Sequence, residues 1–174
     1  MFIVKLIGGL FIVAATSLIG ILKANEYENR TSSLRELVCL LQMLETEICY
    51  KSNILCDALL NCAKAKIESN VGIFFKETAE LLKIRKMTST EAWDKALNEN
   101  LKYTSLKEED AEILKNLGNS LGTSDYDGQI KNIRFVLKQL EVQISKADID
   151  CIKYQSMYKK LGVLGGIALV VMLF

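Results

Sequence analysis

Apolar positions along this chain follow three different patterns. From Leu6 to Leu22 they form a run without a charged residue, and Phe2, Ile3 and Val4 ahead of Lys5 extend it to roughly the 20 residues that cross a bilayer. From Lys23 to Lys160 they recur at helical spacing between polar positions. From Leu161 to Phe174 the chain is again uncharged, but at about 1.5 Å per residue this stretch covers roughly 21 Å of a roughly 30 Å hydrocarbon core, a short or partial span. The first run has a cleaved signal peptide as its rival reading, opposed by the lack of a small-x-small cleavage pair after it. The last has a terminal core helix as its rival.

The middle region divides into short helices. Ser33 with Glu36 forms a capping box ahead of a stripe of Leu34, Leu37, Val38, Leu41, Leu44 and Ile48, which should end near Lys51 to Asn53. A second helix carries Leu55, Ala58, Leu59, Cys62 and Ala63, and a third carries Phe74, Phe75, Thr78, Leu81 and Leu82. Two more capping boxes, Thr88 with Glu91 and Ser105 with Glu108, precede stripes of Trp93, Ala96 and Leu97, then Ile113, Leu114, Leu117 and Leu121. Trp93 is the only tryptophan and sits on an apolar stripe, so a core position is expected for it.

The last pattern is a heptad. Tyr126, Ile130, Ile133, Leu137, Leu140, Ile144, Ala147, Cys151, Tyr154, Tyr158 and Leu161 keep a 3.5-residue seam that continues into the final apolar run. The seam predicts one helix of nearly 50 residues, roughly 70 Å long. It can pack on its own bundle or pair between chains. Tyr154 and Tyr158 fall where interfacial aromatics belong. The expected fold is all-α: a bundle of about six helices with a long C-terminal heptad helix, divided as a membrane helix over 1–22, a helical domain over 23–160 and a short membrane segment over 161–174.

Small residues at four-residue spacing, Thr16 and Gly20 in the first segment and Gly162 and Gly166 in the second, would let two membrane helices approach closely. Basic residues set the orientation. Lys23, Arg30, Arg35, Lys146, Lys153, Lys159 and Lys160 flank the inner ends of the two segments against Lys5 outside, so the middle region should be cytoplasmic with both termini on the outer face.

Composition removes several functions. Lys and Arg total 22 against 21 for Asp and Glu, so no global field attracts nucleic acid. Histidine is absent, and with it the commonest general base and zinc ligand. Proline is absent too, which favours unbroken helices. Five cysteines, Cys39, Cys49, Cys56, Cys62 and Cys151, contain no C-x-x-C pair and read as reduced, small core residues.

Candidate chemistry is sparse. Glu45 and Glu47 lie two apart and so point in different directions on a helix, which suits a solvated or partner-facing role over a shared acid–base site. Glu108, Glu109 and Asp110 belong to a helix first turn, where the macrodipole favours negative charge. The glycines at 118, 122 and 128 follow no strand and precede no Gly-Lys-Ser/Thr. Gly122, Thr123, Ser124 and Asp125 read as a helix stop and the next N-cap. No catalytic residue, metal ligand set or cofactor site is expected, and the chain reads as a non-enzyme. The exposed polar face of Gln42, Glu45 and Glu47, with Asp125 and Gln129, is the candidate partner surface.

In their order, several stretches resemble the stage III sporulation protein AB family of endospore-forming bacteria. They are Leu10 to Leu22; Leu34, Arg35, Glu36 and Leu37; Leu41, Gln42, Leu44, Glu45, Glu47 and Ile48; Leu121, Gly122, Asp125, Gln129 and Lys131; and Tyr158, Leu161, Gly162, Leu164 and Gly165. The resemblance spans nearly the full length. The chain departs from the family in having Asn53 and Ile54 where a proline is usual, so that turn is expected to differ in detail. The resemblance implies a mother-cell membrane protein of the channel complex that links mother cell and forespore. That family is similar to the inner-membrane platform protein of type II secretion, whose cytoplasmic domain is thought to contact a hexameric ATPase. The implied role is a scaffold coupling the sporulation ATPase of the same complex to its membrane components. The competing reading is a membrane-anchored coiled-coil dimerisation or sensor protein, and a weaker third is a membrane hydrolase using the glutamates.

Overall fold

With no proline in the chain and no glycine between Lys23 and Lys51, nothing in the sequence interrupts its first helix. In a computed structural model of the protein, α1 accordingly runs unbroken from Phe2 to Lys51. The structure describes residues 2–51, 54–85, 87–122 and 125–173, with the side chains at 2–6, 50, 51, 85 and 126 outside that description. Ser33 therefore does not open a helix. It lies half-buried inside α1, where its pairing with Glu36 has no free N–H groups to cap, and the expected boundary there is corrected. The remaining helices are α2 (Leu55–Ala65), α3 (Asn70–Arg85), α4 (Ser89–Asn100), α5 (Glu108–Ser120) and α6 (Tyr126–Leu173), with a 3-10 turn at Leu101–Tyr103. No strand occurs among the described residues, and the fold is all-α.

The chain forms two compact units. One comprises Met1–Thr31 with Lys146–Phe174, and the other Ser32–Ser145. In the first, α1 and α6 run antiparallel, with Gly20 against Gly162 and Thr16 against Gly166.

The second unit is a bundle in which α2, α3, α4 and α5 pack each on the next. From α1 it takes Leu34, Leu37, Leu40, Leu41 and Leu44, all essentially buried, and from α6 Ile133, Val136, Leu137 and Leu140. Trp93 is 0% exposed, with Phe74 and Phe75 edge-on to its ring at 4.7 and 5.9 Å. Its indole N–H donates to the Leu114 carbonyl at 2.8 Å, tying α4 to α5. Gly118 is required beneath the ring, because a Cβ there would press into Trp93 Cδ1. Leu82, expected inward, is only half-buried.

Capping follows the sequence at two ends and departs from it at a third. Thr88 accepts from the Glu91 N–H while the Glu91 carboxylate accepts from the Thr88 N–H, the reciprocal box that starts α4. Gly122 takes φ +74° after α5, and Asp125 accepts the Gly128 N–H at 3.1 Å to start α6; Thr123 and Ser124 lie outside the described residues. Ser105 does not cap α5. That helix begins at Glu108, and the buried Asp110 carboxylate accepts the Lys107 N–H at 2.9 Å, two residues beyond the expected start. The turn after α1 passes through Ile54 in an extended conformation (φ −59°, ψ 138°), with Asn53 outside the described residues.

α6 is one helix from Tyr126 to Leu173. Ile133, Leu137, Leu140 and Ala147 of the heptad seam are buried and Ile130, Ile144, Cys151, Tyr154 and Tyr158 half-buried, whereas Leu161 is exposed at 53%. The side chain of Tyr126 lies outside the described residues.

Candidate membrane anchor and partner surface

In the first unit, small residues permit a contact that larger ones would block. A Cβ on Gly162 would lie 2.8 Å from the Thr16 carbonyl oxygen and 3.1 Å from the Gly20 Cα, and a Cβ on Gly20 would lie 2.6 Å from the Tyr158 carbonyl oxygen. A Cβ on Gly166 would meet the Thr16 hydroxyl and, at 2.9 Å, the Val13 Cα. The Thr16 hydroxyl donates to the Ile12 and Val13 carbonyls of its own helix at 3.0 and 3.1 Å, so it needs no water. The structure thus brings Thr16, Gly20, Gly162 and Gly166 together on one antiparallel contact line. Gly8 and Gly165 lie off it, with nothing within 4 Å of an added Cβ.

Away from this contact line, many large apolar side chains of the two segments face outward. Leu10, Phe11, Leu18, Ile19 and Leu22 of α1 and Leu164, Ile167, Val171 and Met172 of α6 are exposed. Both helices are long and apolar enough to cross a membrane, and only 17% and 6% of their most apolar windows are buried. Low burial separates them from core helices, whose apolar surface is covered by protein.

A polar and aromatic belt follows one turn beyond Leu22. Tyr27 lies tilted against Tyr154 and stacked on Tyr158, with centroids at 5.3 and 5.8 Å. Burial and then the hydrogen bond with Tyr158 push the Tyr27 phenol above its usual range. Lys23 pairs with Glu26 at 2.8 Å, and that hydrogen bond raises the lysine. Glu28 accepts from Gln155 at 2.8 Å, and the nearly buried Arg30 faces Asp150 at 3.9 Å. Tyr27, which the periodicity of α6 does not single out, carries the same signal as Tyr154 and Tyr158, an aromatic near the end of an apolar run.

In the second unit, the candidate partner residues separate. Gln42 is exposed, and Glu45, at 19% side-chain exposure, pairs with Arg134 Nε at 2.6 Å. That pair sets the outer side of α1 beside the opening turns of α6, which carry the exposed Asp125 and the half-buried Gln129. Glu47 is corrected out of the exposed face: at 7% exposure it turns inward, and its carboxylate accepts from Asn61 of α2 at 2.9 Å. Two neighbouring carboxylates on one helix thus have different partners, with no site shared between them.

The cysteines also differ from a uniform core set. Cys62 is buried and Cys49, Cys56 and Cys151 are half-buried, but Cys39 is exposed; none of the five is in a disulfide. Burial pushes the Cys56 thiol up, and its S–H donates to the Ala79 carbonyl at 3.4 Å. Among the described residues, no group of three or more acidic or cysteine side chains is placed to hold a metal ion.

Comparison with known proteins covers both units. Residues 5–174 match the family described as Stage III sporulation protein AB. The Stage III sporulation protein AB of Bacillus subtilis (strain 168) is 34% identical over 169 residues, covering 97% of this chain and 98% of its own length. A solved structure of a Stage III sporulation protein AB is 30% identical and superposes with a TM-score of 0.65 over 70% of this chain and 95% of that one.

Proposed function

Because the chain belongs to the stage III sporulation protein AB family, a family of sporulation proteins, we propose that it is a non-enzymatic membrane platform of a sporulation channel complex. In this reading it sits in the mother-cell membrane and couples a cytoplasmic ATPase to the membrane components of the channel that joins mother cell and forespore. The observation that carries the reading is the hairpin of two long helices, paired through Gly20 and Gly162 and apolar on their remaining surface. Such a surface suits lipid as its solvent, since water-exposed apolar patches beyond a few hundred Å² are rare on soluble monomers. The tyrosine belt suits the headgroup level, and the basic residues beside it favour a cytoplasmic bundle.

The ATPase is assigned to the surface around Gln42, Glu45, Asp125 and Gln129, which gathers α1 and the start of α6. The alternative, a coiled coil paired through the main heptad seam, requires that seam to be free. Here Ile133 and Leu140 are 0% exposed, which supports internal packing. Retention of the sporulation ATPase on the detergent-solubilised full chain is the test. The wild type should retain it and Gln42→Arg, a change on an exposed position, should weaken retention; no retention in detergent or in native membranes would overturn the proposal.

A further inference from the structure

α6 carries a second heptad, on the side away from its own bundle. Phe135, Val142 and Ile149 recur at seven-residue spacing and are 62%, 56% and 66% exposed, and Ile152, three residues after Ile149, is 81% exposed. With Phe135 at position a, these are a, a, a and d of a helical seam, and the intervening d positions, Lys138 and Ser145, are exposed as well. Leu140 and Ala147, which occupy f on the opposite side of the same helix, are 0% and 1% exposed. The inward heptad packs on this chain, and the outward one stays more than half exposed, with only the margins of Phe135 and Val142 bordering α5. Where α5 borders the outward face, Asn116 and Gln139 join two shallow hollows of about 280 and 390 Å³ whose rims include Phe135 and Val142, leaving room for a second helix.

We propose that the outward face of α6 is a self-association surface, and that its occupant is the same face of a second copy, running parallel. Charge complementarity selects both the partner and the direction. In a parallel pair each g position faces the e position five residues further along the other chain. Glu141 then faces the second copy's position 146, a lysine, and Asp148 faces position 153, also a lysine; Arg134 faces the neutral residue at 139. In an antiparallel pair g faces g and e faces e, so Lys146 and Lys153 would meet only lysine or the neutral Gln139 and would lose both carboxylate partners. Two chains held in one bilayer would also run in the same direction, a clause that rests on the proposed membrane insertion, whereas the charge argument does not.

The Glu141–Lys146 pairs are exposed and individually weak and Asp148 is half-buried, so the charges set register and direction while the four apolar side chains supply the burial. Lys138 and Ser145 on the seam make the association reversible.

A charge-swap experiment on the full chain in detergent micelles tests this, read by sedimentation equilibrium. Glu141→Lys alone sets two lysines against each other at each contact, and Lys146→Glu alone sets two glutamates; each should weaken self-association by about tenfold. An equimolar mixture of the two variants should restore pairing, because every 141–146 contact in the mixed dimer is again of opposite charge. Ile149→Lys should weaken association with no rescue by either variant. Both charge positions are exposed, so unchanged far-UV dichroism and melting would exclude misfolding as the cause. A monomeric wild type, charge variants that associate normally, or a mixture that fails to recover would each overturn the proposal. So would a dimer indifferent to these changes but lost in Gly162→Leu, which would assign pairing to the membrane helices. Sedimentation of the chain with washed bilayers reads the membrane proposal separately, since the charge-swap result does not depend on it.

Discussion

Trp93 and Gly118 should be coupled, and the size of the coupling follows from their geometry. Replacing Trp93 by Phe removes the donor to the Leu114 carbonyl, but that carbonyl lies inside α5 and keeps its helical partner, so the loss is one buried hydrogen bond at about 1 kcal/mol. The smaller ring leaves roughly 40 Å³ empty, which at about 24 cal/mol per Å³ adds about 1 kcal/mol. Together these give about 2 kcal/mol, and at ~4 °C per kcal/mol for a unit of this size a fall in Tm of about 8 °C. Gly118→Ala alone should also destabilise, because its Cβ presses on Trp93 Cδ1 and the clash exceeds the gain of about 1 kcal/mol in helix propensity. Phenylalanine keeps a Cγ and a Cδ1, so in the Trp93→Phe background the clash persists; in a Trp93→Ala background those atoms are gone and the alanine at 118 should become neutral or stabilising. Thermal unfolding of the full chain in mild detergent, followed by far-UV dichroism, reads the wild type, the three single variants and the Trp93→Ala/Gly118→Ala double variant. Additive effects of Trp93→Ala and Gly118→Ala, or a Tm for Trp93→Phe within about 1 °C of wild type, would refute the reasoning.

Three further outcomes are expected. Gly162→Leu should loosen the α1–α6 hairpin and raise protease sensitivity in membranes, whereas Gly165→Leu, with open space around its Cα, should not. Thr88→Ala removes one half of the α4 capping box and should cost about 1 kcal/mol in denaturant unfolding. Maleimide labelling under native conditions should modify Cys39 first and Cys62 last. Cys56 adds a pH effect: its neutral thiol is favoured in the fold, so this contribution is fully present below the ordinary thiol pKa of about 8.5 and is lost as pH rises through the higher folded value. The wild type should therefore lose more stability than Cys56→Ala above that range, and equal losses would contradict the assignment.

What the sequence revealed and what it concealed divide along physical lines. Periodicity located α2 to α6 because each buries one stripe, and Trp93 fell in the core because a lone indole on such a stripe needs both cover and an acceptor. Capping signals succeeded at Thr88, where Met87 and Thr88 lie outside any helix, and failed at Ser33, where an uninterrupted run of helix formers and buried Leu34 and Leu37 carry α1 straight through. At α5 the acidic run offered several start points, and Asp110 prevailed over Ser105 because its carboxylate is buried against the Lys107 N–H. Glu47 looked solvent-facing because its partner, Asn61, comes from the next helix, and no local pattern announces a tertiary hydrogen bond. The same holds for the Glu45–Arg134 pair, whose members are 89 residues apart. The outward heptad of α6 was obscured by the stronger inward one, since four apolar side chains among lysines and serines read as ordinary surface until the inner face is known to be covered.

The central claim, a membrane platform with its bundle in the cytoplasm and both chain ends outside, is tested most directly by thiol accessibility in intact cells. Two single-cysteine chains suffice: one retaining only the exposed Cys39, and one with only Leu173→Cys. A membrane-impermeant maleimide should label position 173 in intact cells and reach Cys39 only after lysis. Labelling of Cys39 in intact cells, protection of position 173 until lysis, or recovery of either chain in the soluble fraction would contradict the account.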